Sequence, residues 1–599
     1  MSVSPKVKRY TLLLVTSLLV LIAAGRILRL NLDHKELHID EIWSVWQLLG
    51  NHTDYSRDAT WPPLYYVVLD GWRQLVGIDP FALRYLSVLM FMVSAAVTYR
   101  AMRRLSSESA AMLAMLAYSA LALGIFVTIQ VRAYGLVYSL MPLAFWLTIR
   151  YFDQPKIRRG ILLALVMVAM FYTAYGSVGA FLMLGIYTLL VYRQAIWRWW
   201  LPGVIAGALA FPGVAHVWNL TVTRLAPLAI QPMQPFLPAL ANFYNRDTGY
   251  NTIVWIVLAL VAAAMLIIYQ RPLRMKALAF LLWGFGAVLL YVLNRYLGLF
   301  DSVYGWFLVL GAVFWIAWGL SYLPRIARLG ATALLIIVML TPISYATFEA
   351  EPPPMGQSFE ALAKTVQWGD VIVLDPLWKD RLCDCLNPEE FEYLTKLYFP
   401  QGLPVVTSPE GYQRVWYLKW DSLEDKTFQK RVQQGRVAGK FIGPPEALFQ
   451  LYETPPNPVG ILFDNGLRFH GIELMDAPPG LFVHRVLDTV RVRLWWSVDK
   501  PLTADYSISL RVFYKNQLAI QSDSGPQLID PALPKATSQW QPGQFYIEER
   551  EFSIPRVFTT GQYPLLLTVY QWWDNTRINA PGVNQDSLLP IQTLYIKAW

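Results

Sequence analysis

Apolar residues along this chain of 599 residues come first in long unbroken runs and later in short alternating ones. A transmembrane helix needs roughly 20 mostly apolar residues. Stretches of that kind lie at 10–30, 81–102, 109–129, 134–150, 160–173, 176–193, 201–218, 251–270, 277–297, 304–322 and 329–346. The halves of 160–193 are short for spans, and Tyr175-Gly176 between them suits a turn, so this stretch reads as two helices. The first run is too long for the core of a signal peptide and ends in no small-x-small site, so it reads as a span. The pattern predicts a multi-span α-helical membrane domain over 1–346 with about eleven transmembrane helices.

Beyond 347 the periodicity changes. EPPPMGQS reads as a Pro-rich linker. Residues 357–455 alternate amphipathic stretches with VIVLD (371–375), VWYLKW (415–420) and ALFQLYE (447–453), which predicts a small α/β domain. TPPNPVG (454–460) reads as a second linker. In 461–599, TVRVRLWWSV (489–498) puts Val490, Val492, Leu494 and Trp496 on one face, and YSISLRVF (506–513) does the same with Ile508, Leu510 and Val512. Period-two alternation between Pro- and Gly-marked turns predicts a C-terminal β-sandwich.

Composition fits the pattern. The chain is 55% hydrophobic and 15% charged, against about 25% charged in soluble domains. Its 24 Trp and 33 Tyr suit interfacial belts. A net charge of +9 raises the question of nucleic acid. The basic residues, however, fall in small groups between apolar runs: Lys6, Lys8 and Arg9; Arg100, Arg103 and Arg104; Lys156, Arg158 and Arg159; Arg193 and Arg198; Arg271, Arg274 and Lys276; Arg325 and Arg328. With eleven spans all six groups face one side, the positive-inside pattern, which argues against a nucleic-acid partner. The N-terminus is then cytoplasmic, and 31–80, 219–250 and everything after about 347 are extracytoplasmic. Two cysteines, Cys383 and Cys385, supply neither a disulfide framework nor a zinc set.

The first outer loop, 31–80, holds the densest polar chemistry: Asp33, His34, Glu36, His38, Asp40, Glu41, Asp54, Asp58 and Asp70. HIDEIWSVWQLL (38–49) predicts a short interfacial helix whose membrane face is Ile39, Ile42, Val45, Trp46 and Leu49. In TWPPLYYVVLDGWRQLVG (60–77), Trp61, Leu64, Tyr65, Val68 and Trp72 recur at roughly helical spacing around two prolines, in a second such segment.

Asp40-Glu41 in the first outer loop, then PPLYY (62–66), FALRYLSVL (81–89), QVRAYGL (130–136) and FYTAYGS (171–177) follow one another in order. This set resembles the polyprenyl-phosphate-dependent membrane glycosyltransferases of the GT-C fold, above all the protein O-mannosyltransferases and lipid A aminoarabinose transferases. The resemblance covers roughly the first 345 residues. It implies a donor sugar on a polyprenyl phosphate and a lipid, glycan or protein acceptor at the outer face of the cytoplasmic membrane. Asp40 matches the family's catalytic acid and is the candidate general base for the acceptor hydroxyl. Glu41 would orient Asp40 or the acceptor. Direct displacement would invert the anomeric carbon. The leaving phosphate needs cations, and Arg132, with Tyr134 beside it, and Arg295 are the candidates. His38, Tyr65, Arg224 and Arg246 are candidates for the vicinity of donor or acceptor, the last two in the polar outer loop 219–250.

The chain departs from the family pattern at Gln130, where many relatives carry an acid, at Ala174, where many carry His, and at Val303-Tyr304, where some carry Arg-Tyr. No cofactor is certain. Some GT-C enzymes use a divalent ion, and His34 and His38 with Asp40 or Glu41 would be its ligands, although a surface histidine pair explains them equally simply. Plainer readings stand beside the rest: a solvated acidic pair at 40–41, an arginine snorkelling to headgroups at 132, and a connector at 219–250. Trp495, Trp572 and Trp573 could stack on sugars or serve as core. Two rival functions follow: a transporter or flippase of lipid-linked sugars, which needs ionisable groups near mid-bilayer, and a membrane-anchored carbohydrate-binding protein.

Overall fold

The computed structural model describes residues 5–29, 62–220, 235–269, 275–288, 305–341, 355–367, 369–374, 388–419, 426–444, 448–475 and 483–598, together with Leu32, Leu37, Glu41, Ser44, Val45 and Tyr291. The chain divides into two compact units, one of Met1–Pro352 with Cys385–Leu397 and one of Pro353–Asp384 with Tyr398–Trp599.

The first unit is helical. Its helices are α1 (Pro5–Arg29), α2 (Leu64–Val76), α3 (Pro80–Leu105), α4 (Glu108–Ala120), α5 (Ala122–Thr128), α6 (Ala133–Asp153), α7 (Ile157–Phe171), α8 (Ser177–Val191), α9 (Trp200–Leu220), α10 (Phe236–Thr248), α11 (Thr252–Tyr269), α12 (Met275–Gly284), α13 (Val309–Leu320) and α14 (Arg325–Leu340). Each apolar run in the sequence carries helix. Among the described residues three helices, α3, α6 and α11, are long and apolar enough to cross a membrane, and Leu14–Gly25, α8, α12 and α13 are shorter apolar helices. Only 22% of the apolar window of α11 is buried, so most of that helix turns its aliphatic side chains outward. A water-soluble protein rarely exposes so large an apolar surface.

Local chemistry sets the helix ends. The Asp79 side chain accepts from the Phe81 N–H and Pro80 sits at the first turn, which fixes the start of α3. Ser107 caps α4 in the same way through the Ala110 N–H. The run 109–129 is not one helix: Leu121 adopts an extended conformation (φ −66°, ψ 134°) and separates α4 from α5. The run 160–193 is two helices, α7 and α8, around the turn 172–176. Inside the bundle, Phe145 of α6 holds the rings of Tyr187, Phe280, Trp283 and Phe314 at centroid distances of 4.9, 5.8, 5.4 and 5.2 Å.

The second unit is rich in strands. Its first sheet has the order β2-β1-β3-β5-β4, with β1 (Val371–Val373), β2 (Val405–Val406), β3 (Arg414–Lys419), β4 (Val437–Ile442) and β5 (Leu448–Glu453). β1 pairs parallel with β2 and β3, whereas β5 pairs antiparallel with β3 and β4. Helix α15 (Met355–Ala363) begins inside the segment read as a linker, and Met355 is fully buried. Helix α16 spans Pro388–Tyr398, and its residues up to Leu397 group with the helical unit rather than with this sheet. There Tyr393 donates to the Ile78 carbonyl at 2.8 Å.

Two further sheets are built from β6 (Ile461–Leu462), β7 (Leu467–Leu474), β8 (Val483–Arg485), β9 (Thr489–Val498), β10 (Ser507–Tyr514), β11 (Gln517–Ser524), β12 (Tyr546–Ser553), β13 (Gly561–Tyr570) and β14 (Leu589–Lys597), ordered β11-β10-β13-β14-β8 and β12-β9-β7-β6. Val490, Val492, Leu494 and Trp496 of β9 (Thr489–Val498) and Ile508, Leu510 and Val512 of β10 (Ser507–Tyr514) share one core, as the alternation predicts. A buried ionic cluster ties the first sheet to this region: Arg414 meets Asp370 at 2.6 Å and also Glu453, and Glu453 meets Arg493 of β9 at 2.9 Å.

Candidate functional site

Arg84 is embedded early in α3 and is 2% exposed, a costly place for a guanidinium without partners. It has them. Its Nε and Nη2 donate to Oε1 and Oε2 of Glu41 at 3.0 and 2.9 Å, a two-pronged contact with a carboxylate that is itself fully buried. Its Nη1 reaches the Leu32 carbonyl at 3.3 Å. Glu41 Oε1 also accepts the Val131 N–H at 2.9 Å. Ser87, one turn along α3, donates to the Gln130 carbonyl at 2.7 Å. One ion pair thus joins the DE of the first outer loop, the FALRYLSVL helix start and the QVRAYGL segment. Val45 is also fully buried against protein, whereas the sequence reading gave it to the membrane face.

Helix α2 brings in a fourth and a fifth motif. Its buried face is Tyr65, Tyr66 and Leu69, and its first residue, Leu64, donates its N–H to the Tyr172 carbonyl at 2.9 Å. PPLYY therefore meets the FYTAYGS turn. The rings of Tyr65 and Tyr66 sit edge to face at 5.8 Å, and Trp72 Nε1 donates to the Ala82 carbonyl at 2.8 Å, which locks α2 to the start of α3.

Between these elements lie polar groups with spare capacity. The hydroxyl of Tyr65 and the Nε2 of Gln130 are buried with no hydrogen-bond partner among the described residues. Such groups cost about 1–3 kcal/mol each, so their presence asks for an explanation. Arg132, 6% exposed, takes an extended conformation just before α6. Its guanidinium carbon lies 5.9 Å from the centre of the Tyr134 ring. Burial raises the pKa of Tyr65 well above the usual phenol range, with Tyr66 and Glu41 adding to the rise and the Arg132 charge opposing it. Tyr65 is therefore a neutral donor at any physiological pH. The arrangement groups a guanidinium with two buried donors that have no partner among the described residues, chemistry suited to phosphate or sugar oxygens.

Of the residues the sequence singled out, Glu41, Tyr65, Arg132 and Tyr134 come together here. Asp40, His38, Arg224 and Arg295 lie outside the described residues, as do His34 and the Cys383–Cys385 pair. Arg246 sits in the last turn of α10, which packs on α5, the helix leading into Gln130–Arg132. Arg84 and Ser87 had no assigned role. An arginine inside an otherwise apolar run was the signal that could have found the first. Among the described residues no group of three metal-ligating side chains stands together.

In the strand-rich unit Trp495 is fully buried and donates to Glu473 at 3.0 Å, so it is core rather than a sugar platform. Trp572 and Trp573 are exposed, with ring centroids 6.0 Å apart. An open cavity of about 530 Å³ lies elsewhere on that unit, lined among others by Arg468, His470, Asp499 and Phe545.

No known family profile matches the sequence, and no curated protein matches it. Among solved structures the chain is similar to ArnT from Cupriavidus metallidurans in the apo state, at 15% identity and a TM-score of 0.37, over 75% of this chain and 98% of that one. The same protein bound to undecaprenyl phosphate gives 14% and 0.37, over 74% and 97%. The arabinosyltransferase EmbB from Mycobacterium smegmatis gives 10% and 0.36, over 93% of this chain and 65% of that one. Superpositions this loose carry no argument about chemistry, and the reading that follows stands on the residues.

Proposed function

We propose that this protein is an integral-membrane glycosyltransferase of the GT-C type, with about eleven spans, that moves a sugar from a polyprenyl-phosphate donor to an acceptor hydroxyl at the outer face of the cytoplasmic membrane. One observation carries the reading. The motifs that resemble that family in order along the chain meet in space around the buried Glu41–Arg84 pair, beside Arg132 and the uncommitted donors of Tyr65 and Gln130. A phosphate or sugar oxygen would satisfy these donors, which have no partner among the described residues.

The chemistry divides among these groups. Arg132 would neutralise the charge that grows on the phosphate as the glycosidic bond breaks. Tyr65, held neutral, and Gln130 would donate to phosphate or sugar oxygens. Asp40 would take the proton of the attacking hydroxyl. Its neighbour Glu41 is wholly engaged by Arg84 and Val131, which makes Glu41 a positioning residue: it fixes the backbone that carries Asp40, whose Cα is about 3.8 Å away along the chain. Attack opposite the phosphate inverts the anomeric carbon. Helix α2 would lie along the outer surface, with Val67 and Leu75 exposed to lipid. The transporter reading calls for ionisable groups at mid-bilayer. Arg84 instead stands near the start of α3 and Arg132 before α6.

The test is transfer from labelled polyprenyl-phosphate sugars in membranes that contain the full chain. Asp40→Asn should lower the rate by about 10²–10⁴. Tyr65→Phe should reduce transfer while leaving the melting temperature unchanged or higher, because it removes an unpartnered buried hydroxyl. Full activity in the Asp40 variant would overturn the base assignment. Transfer from a nucleotide sugar with no lipid-linked donor would overturn the donor.

A further inference from the structure

The same three helices that carry the site at one end gather arginines at the other. Arg84 stands near the start of α3, whereas Arg100 and Arg104 stand near its end. Tyr134 opens α6 and Arg150 closes it. Arg159 opens α7, and Tyr172 follows its end. At about 1.5 Å per residue the two ends lie roughly 20–30 Å apart along each helix, close to the thickness of a hydrocarbon core.

At this second end Arg100, Arg104 and Arg159 are all near enough to repel Arg150. Arg159 donates to the Arg150 carbonyl at 3.1 Å, which pins the start of α7 to the end of α6. Among the described residues the acids at this end are Asp153, engaged by Arg104 at 2.7 Å and by the Tyr192 hydroxyl at 2.8 Å, and Glu108, engaged by Arg103 and Tyr99. Among the described residues, Arg100, Arg150 and Arg159 have no carboxylate partner. Arg150 instead lies over the Trp146 ring at 5.0 Å. Guanidiniums within Coulombic reach of one another and without a carboxylate favour an anion placed among them. Along α7, Leu162 stands three residues after Arg159 on the same flank of the helix, and Leu162 and Leu165 are 42% and 48% exposed. The surface is cationic at its head and aliphatic along its length.

We infer that Arg100, Arg150 and Arg159, with the exposed Leu162 and Leu165 of α7, form a binding site for an anionic glycerophospholipid of the inner leaflet, its phosphate among the guanidiniums and an acyl chain along α7. Basic pockets between membrane helices at the cytoplasmic face suit such headgroups. The inference rests on the membrane-crossing part of the proposed function and not on the transfer reaction.

The test uses the full chain purified in detergent. Dioleoyl phosphatidylglycerol should raise the melting temperature by several degrees, while phosphatidylcholine with the same chains, and inorganic phosphate at the same concentration, should not. The double substitution Arg150→Gln/Arg159→Gln should weaken phosphatidylglycerol binding about thirtyfold. Native mass spectrometry of the unmodified protein, given both lipids at equal concentration, should retain phosphatidylglycerol preferentially, and this arm holds even if the variant fails to fold. Equal response to the two lipids, or an undiminished response in the double variant, overturns the site. An equal response to inorganic phosphate overturns the lipid assignment in favour of a free-anion site. A protein that shows no sugar transfer yet retains phosphatidylglycerol in this way leaves the inference standing.

Discussion

Replacing Glu41 by Gln keeps the shape and one acceptor for the Val131 N–H but strips Arg84 of its counter-charge. Both partners are essentially out of solvent, with side chains 3% and 0% exposed. A buried ion pair adds little when intact, because desolvation offsets attraction, yet breaking one side leaves an uncompensated charge and costs about 3–5 kcal/mol. Glu41→Gln should therefore lower the thermal midpoint sharply. Glu41→Leu with Arg84→Met should recover most of that stability. If Glu41 holds the proposed base Asp40 in place, the double variant should not recover transfer: with Asp40 unchanged, the rate should fall at saturating donor more than KM rises. A Glu41→Gln protein as stable as the original would mean that water reaches the pair and that it fixes nothing. At this scale the sequence carried a good part of the site. Glu41, Tyr65, Arg132 and Tyr134 stand out by residue type and order. The partner of Glu41 does not, because pairing across 43 residues leaves no local periodicity. Arg84 is visible only as a charge in the wrong environment.

Helices are the most legible elements, since a long apolar run has few other ways to satisfy its backbone in lipid. What the runs hide is where a helix breaks or how closely two approach. Leu121 interrupts 109–129 with neither Gly nor Pro beside it to announce the break. Helix α16 reads as an ordinary short amphipathic helix, and an amphipathic pattern does not say which body covers its apolar face. Close approach is decided by glycines whose role appears only in three dimensions. A Cβ on Gly319 of α13 would stand 2.4 Å from the Ala262 carbonyl oxygen and 2.6 Å from its Cα, on α11. A Cβ on Gly185 of α8 would meet nothing within 4 Å. Gly319→Ala should force α13 and α11 apart and cost about 1–3 kcal/mol. Gly185→Ala should be neutral or stabilise by roughly 0.5–1 kcal/mol through helix propensity. Thermal melting of the two variants side by side checks the contrast, and equal effects would show that the α11–α13 crossing is not tight.

Across the whole molecule the question is which way the chain faces, and one hydrogen bond bears on it as much as the charge pattern does. If 160–193 were a single span, every later basic group would change sides. The stretch is instead two helices, and its turn sits where the Tyr172 carbonyl receives the Leu64 N–H at 2.9 Å. The turn 172–176 is therefore at the same end of the bundle as α2, Arg84 and Arg132, while Lys156, Arg158 and Arg159 at the start of α7 are at the end of Arg100, Arg104 and Arg150. Helix α7 runs from the basic end toward the site and α8 runs back. Arg193 and Arg198 then return to the basic end, where Tyr151 donates to the Arg198 carbonyl at 3.1 Å. Hydropathy alone left the number of helices open, because two short helices and one long one share the same composition; the turn shows two. If the basic end is cytoplasmic, a reporter fused after residue 198 should be active only as a cytoplasmic enzyme, and one fused after residue 350 only as an exported one. Both fusions reporting the same compartment would break the alternation. A cytoplasmic signal after 350 would place the strand-rich unit inside the cell and remove an outer-face acceptor from its reach.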